Sequence, residues 1–178
     1  MCLIGGWTVL LGVTAAIALR PSASAPSLGA SLPGLRLGQA APDFTLDDTQ
    51  GRAVRLTAFR GRPVLLNFWS PTCPPCVTEM PALQRASLEA LRDHAVGAAP
   101  LVLGVVGTPD SPGTVEAFGR RVGVGYPLLL DSRLSVSLLK YHVSALPTSV
   151  LIDPAGRLRA VYLGPMSPAQ IRTAFGVG

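Results

Sequence analysis

The feature that most narrows the fold is a pair of cysteines placed where one periodicity gives way to another. Pro63-Val64-Leu65-Leu66-Asn67-Phe68-Trp69 is an apolar run of strand length, and beyond Cys73-Pro74-Pro75-Cys76 the residues Val77, Met80, Leu83 and Ala86 recur at helical spacing. The pair therefore sits at a strand-to-helix junction. Proline is tolerated in the first turn of a helix, where its missing N–H would have gone unpaired. With Pro74 and Pro75 in the first two helical positions, Cys73 falls at or next to the N-cap. Its sulfur can accept the N–H of Cys76 there, and the positive end of the helix dipole favours a thiolate over a thiol. Cys73 is the expected nucleophile. Residues three apart on a helix lie about 5–6 Å from each other at Cβ, so Cys76 can close a disulfide on Cys73 or resolve a mixed one. A purely structural disulfide and half of a zinc site are the plainer alternatives, the second lacking another ligand pair.

The 178 residues suffice for one domain and an extension. From Leu3 to Leu19 the chain is almost wholly apolar before Arg20, a length between a signal-peptide core and a membrane span, and Ala23-Ser24-Ala25 has the pattern of a cleavage site. Residues 1–20 are read as a membrane anchor or a signal peptide, with cleavage after Ala25 and retention both open. No Lys or Arg precedes the apolar stretch, the weaker arrangement for export. A Pro/Ser/Ala-rich linker covers residues 21–35, and the folded domain is expected over 36–178. Export would place the dithiol where disulfides persist. Cys2 reads as an incidental small residue. The charge, Lys+Arg 15 against Asp+Glu 10 and nearly all the positive part arginine, is scattered without a basic run or interleaved aromatics, which argues against nucleic-acid binding.

Along the domain, Gly38–Leu46 and Arg52–Leu56 alternate about the turn 47–51 as a hairpin, and Thr57–Gly61 makes a helical turn. The helix from Pro74 to about His94 should kink at Pro81. Leu101–Val106 is a buried parallel strand, Thr114–Val122 a helix, Pro127–Asp131 a strand and Ser132–Tyr141 a helix. Pro147–Ile152 and Leu158–Tyr162 flank the turn 153–156 as a second hairpin, and Ser167–Phe175 closes the chain as a helix. The order describes an α/β domain with a mixed sheet.

Pro42-Asp43-Phe44, Asn67-Phe68-Trp69-Ser70 before Cys73-Pro74-Pro75-Cys76, Glu79-Met80-Pro81 after it, and Leu146-Pro147-Thr148 before the last hairpin occur together and in this order. In this the chain closely resembles the thioredoxin-fold, extracytoplasmic thiol–disulfide oxidoreductases of the TlpA/ResA/DsbE-like branch of the AhpC/TSA-redoxin superfamily, over residues 36–176. The resemblance implies a thioredoxin-like α/β fold: a five-stranded mixed sheet flanked by helices, with an N-terminal β-hairpin extension. It implies a redox-active Cys73–Cys76 disulfide faced by a cis Pro147. The backbone of Leu146 would pair with a substrate peptide, and Trp69, Pro74 and Pro75 would border it. No metal or organic cofactor is implied. Implied partners are cysteine-containing exported proteins, apocytochrome c among them, and a membrane protein that recycles the dithiol.

Two positions depart from relatives. Asn67 replaces the buried aspartate of cytosolic thioredoxins, leaving Glu79, one turn beyond Cys76, to help deprotonate Cys76 through water; a merely solvated Glu79 is the alternative. Thr72 stands where many relatives carry tryptophan, so Trp69 is left to shield the site. A thiol peroxidase would want a proline where Leu66 stands, and a Cu(I) carrier would want a histidine near the pair. His94 and His142 read instead as surface or helix-end residues.

Overall fold

The computed structural model describes residues 31–95, 97–107 and 110–177. The apolar amino-terminal segment, the sequence around Ala25 and most of the linker lie outside these residues.

Organisation starts from β3 (Val64–Trp69), six residues all buried. A strand buried on both faces reads as a continuous apolar run. Its alternate residues divide the interior: Leu65 and Trp69 point into one apolar cluster, and Val64, Leu66 and Phe68 into the other. Asn67 is the single polar residue of the run. β4 (Leu101–Val106) lies parallel to β3 on one side, and β6 (Thr148–Ile152) antiparallel on the other. β5 (Leu128–Leu130) continues parallel to β4, and β7 (Leu158–Leu163) pairs with β6 across the turn at Asp153–Gly156.

Among the described residues the sheet has seven strands, the five expected and the two of the amino-terminal hairpin extension. The amino-terminal hairpin, β1 (Thr45–Asp48) with β2 (Ala53–Arg55), joins it by pairing β1 against β5, giving the order β2-β1-β5-β4-β3-β6-β7. The first strand begins later than its alternation suggests. Asp48 belongs to it, and its buried carboxylate accepts the N–H groups of Gln50 and Arg52, shaping the turn. A 3-10 turn over Leu56–Phe59 then leads into β3.

Helix α1 (Pro74–Asp93) runs through Pro81 without interruption and buries Cys76, Glu79, Met80, Leu83, Ala86 and Ala90. α2 (Pro112–Arg121) starts two residues earlier than its apolar spacing suggests, because Ser111 caps it through the N–H of Thr114. α3 (Pro168–Phe175) opens with a full capping box: Ser167 accepts from Gln170 N–H, and the Gln170 side chain accepts from Ser167 N–H.

One predicted element is absent. Residues 132–141 form successive turns, not a helix. The Asp131 carboxylate accepts from the N–H groups of Val136 and Ser137 and from the Ser137 hydroxyl, which draws the chain into a loop around it. Leu134 lies in the left-handed region at φ 54°, which no regular helix contains.

Candidate active site

The cysteine loop follows directly from β3. Ser70 turns the chain: its carbonyl accepts Cys73 N–H at 3.1 Å and its hydroxyl accepts Thr72 N–H at 3.3 Å. Cys73, in extended geometry, is the N-cap of α1, and its Sγ accepts the N–H of Cys76 at 3.4 Å. Pro74 and Pro75 occupy the first helical positions and are exposed. Cys73 and Cys76 are joined in a disulfide with Cα atoms 5.3 Å apart. The two sulfurs differ in access: Cys73 is half-buried, whereas Cys76 is 1% exposed.

The Leu146–Pro147 peptide is cis. Because Phe68 pairs with Thr148, Pro147 comes beside Trp69, at the end of β3 from which the cysteine loop departs. Pro147 is buried and its carbonyl accepts Gly164 N–H, while Leu146 is exposed. Among the described residues neither main-chain polar group of Leu146 has a hydrogen-bond partner. Leu146 borders a cleft of about 400 Å³ whose walls include Phe68, Gly107, Leu134 and Leu138.

Trp69 reaches the site from the interior of the domain. Its side chain is fully buried, stacked on Phe118 with ring centroids 5.4 Å apart, and it belongs to the same apolar cluster as Cys76. Thr72 occupies the exposed position beside Cys73 and bonds to Ser70. His142 is exposed, and His94 caps the end of α1 with Nε2 3.2 Å from the Phe175 carbonyl oxygen.

Glu79 is not solvated. It is 5% exposed, and its carboxylate accepts from Asn67 Nδ2 at 2.9 Å and, through the other oxygen, from the N–H of Met166. Burial pushes its pKa above the ordinary carboxylate value, against the lowering effect of those two donors. Asn67 donates its second amide hydrogen to Ser149 Oγ at 2.9 Å. Sequence reasoning missed the rest of this group. Ser149 carries a trace of a signal, as a polar residue in an apolar strand; the Met166 N–H and Tyr126 carry none. Tyr126 is 7% exposed, and its hydroxyl, held protonated by burial and by the nearby Glu79 carboxylate, faces the same interior.

A sulfur at a helix start, a second sulfur sealed one turn on, and a buried carboxyl three residues further can carry out dithiol exchange without a cofactor. The comparisons agree. The AhpC/TSA family model matches residues 37–161. The thiol-disulfide oxidoreductase ResA of Geobacillus thermodenitrificans is 37% identical over 76% of this chain and 74% of its own. The thioredoxin domain of a thiol-disulfide oxidoreductase from Bacteroides vulgatus superposes with a TM-score of 0.67 at 26% identity, covering 78% of this chain and 95% of that one. The pneumococcal exposed lipoprotein thioredoxin of Streptococcus pneumoniae gives 0.61 at 27%, covering 76% and 98%. With a sheet, a capped cysteine pair and a cis proline in one arrangement, the chain belongs to the AhpC/TSA family and, within it, to the thioredoxin-fold thiol–disulfide oxidoreductases of ResA and DsbE type.

Proposed function

We propose that this oxidoreductase works outside the cytoplasm, held there by or released from its amino-terminal apolar segment, and reduces cysteine pairs of exported proteins, apocytochrome c among them. The observation that carries the proposal is the asymmetry at the disulfide: Cys73 is accessible at the start of α1, Cys76 is sealed, and the unpaired backbone of Leu146 lies at the neighbouring strand end.

In the reduced enzyme the helix start favours the Cys73 thiolate. It attacks one sulfur of the substrate disulfide, forming a mixed disulfide and releasing the other substrate sulfur as a thiolate. Leu146 N–H and C=O pair with the substrate backbone, Pro147 supports that edge, and Pro74 and Pro75 border the incoming chain. Glu79, kept weakly acidic by burial, takes the Cys76 thiol proton through water. The Cys76 thiolate then attacks Cys73 Sγ and displaces the second substrate thiolate, leaving the Cys73–Cys76 disulfide. Two electrons have passed to the substrate, and a membrane dithiol protein restores the enzyme.

Reduced Cys76→Ser, incubated with a disulfide-bonded Cys-x-x-Cys peptide of an apocytochrome c haem-attachment site, should accumulate a mixed disulfide on Cys73 detectable by mass spectrometry. Equal accumulation with Cys73→Ser would reverse the nucleophile assignment. A thiol peroxidase finds less support, since the position that would need proline is Leu66, in the middle of a buried strand.

A further inference from the structure

Three buried polar atoms on the α1 side of the sheet have no hydrogen-bond partner among the described residues: Asn67 Oδ1, Trp69 Nε1 and the Tyr126 hydroxyl. They are neighbours. Asn67 and Trp69 are alternate residues of β3 and share a face; Gly104, the partner of Asn67 in β4, faces the same way. A Cβ built on Gly104 would stand 2.8 Å from Leu128 Cδ2, 3.1 Å from Trp69 Nε1 and 3.1 Å from a ring carbon of Tyr126. The missing Cβ at residue 104 thus lets the indole N–H, the tyrosine ring and Leu128 close in on one point of the sheet. Asn67 is bonded directly to Glu79, whose charge is felt at Tyr126.

The polarities of the three atoms are complementary to one small molecule. Indole N–H can only donate; the amide hydrogens of Asn67 are already given to Glu79 and Ser149, so its oxygen must accept; the tyrosine hydroxyl, neutral at working pH, can donate. Buried polar atoms in native proteins are nearly always satisfied, often by an internal water with two to four polar partners. We propose that these atoms hold one buried water molecule, which accepts from Tyr126 and Trp69 and donates to Asn67 Oδ1. Through it Tyr126 is a positioning residue for the Asn67–Glu79 pair behind Cys76. A water that donates to the amide oxygen makes the amide hydrogens better donors to Glu79, favouring the carboxylate.

The inference rests on the reading that Glu79 serves Cys76. Glu79 is bonded to Asn67 and to the Met166 N–H, and its charge is felt at Tyr126; Ser149 is bonded to Asn67, while Cys76, Trp69 and Tyr162 belong to the apolar cluster on this side of the sheet, and none of the described ion pairs includes Glu79. Of these only Cys76, the tyrosines and Glu79 can titrate, and the tyrosines stay neutral because burial raises their pKa values.

Tyr126→Phe tests it, since the ring is kept and only the hydroxyl lost. If the hydroxyl were a dry orphan, its removal would leave the protein as stable or more so. The water site predicts the opposite. The variant unfolds at lower denaturant, the Trp69 indole N–H loses its cross-relaxation to bound water in NMR, and the Glu79 limb of the dithiol-exchange pH profile moves to higher pH. On the acid side of that limb the exchange rate falls by about threefold, the size expected for one hydrogen bond. An equally or more stable variant with an unmoved limb overturns the inference. Glu79→Gln separates the two readings. If it leaves the profile unchanged, the role of Glu79 fails, while the stability loss and the indole–water contact still report on the water. If Glu79→Gln changes the profile and Tyr126→Phe changes nothing, only the water site fails.

Discussion

Of the three carboxyl groups buried among the described residues, Asp131 and Glu79 lie on opposite sides of a functional divide. Asp131 is 1% exposed and collects the N–H groups of Val136 and Ser137 and the hydroxyls of Ser135 and Ser137. Glu79, almost as deeply buried, has one amide hydrogen from Asn67 and one N–H from Met166. The first carboxylate is saturated with donors and organises a loop. The second is under-supplied, so burial dominates and the proton is held more tightly than usual. A buried acid rich in donors is a structural joint, and one poor in donors is available for proton transfer.

The largest expected effect comes from breaking the saturated side. Asp131→Ala strands the N–H groups of Val136 and Ser137 and should lower the unfolding free energy by about 3 kcal/mol or more, read by denaturant titration, with the pH profile of exchange in place. Glu79→Gln should do the reverse. Exchange with a small disulfide substrate should fall by about tenfold at neutral pH, and its dependence on the glutamate should vanish. Stability carries a second signature. Since the folded-state pKa of Glu79 is raised, its contribution is fully present below the ordinary value of 4.5 and is lost as pH rises through the raised value. The wild type should therefore weaken over that window, and Glu79→Gln should lack the slope.

The smallest effect sharpens the contrast with a second buried tyrosine. Tyr141 lies on the other face of the sheet, where its hydroxyl donates to the Pro42 carbonyl at 2.9 Å and its ring meets Phe68 at 5.3 Å. Tyr141→Phe should cost about 1 kcal/mol, the net worth of one hydrogen bond, and leave the pH profile of exchange untouched. A moved profile would show that the two faces are not independent.

What could be read from the residues follows the range of the forces involved. The junction at Cys73, the capping of α3 by Ser167 and the hairpin about residues 153–156 depend on neighbours a few positions away, and the chain spells them out. The loop at 132–141 does not, because Leu134, Leu138 and Tyr141 have helical spacing and only the burial of Asp131 decides against a helix. The same holds at the site. Helical spacing puts Glu79 on the face of Cys76, but its burial depends on Asn67, Ser149 and the turn before α3, brought together from three distant segments. The nearness of Trp69 to the cysteines is local and legible. Its inward orientation follows from the alternation of β3 and from Phe118, 49 positions on in a different helix.

The unequal access to the two sulfurs also bears on small thiols in the surroundings. A free tripeptide thiol can approach Cys73, but at Cys76 it meets the packed side chains of α1 and the sheet. Once a protein client is tethered, intruders can attack only the sulfur already engaged, and the choice between release and abortive scavenging is settled by how quickly the sealed sulfur reaches its neighbour.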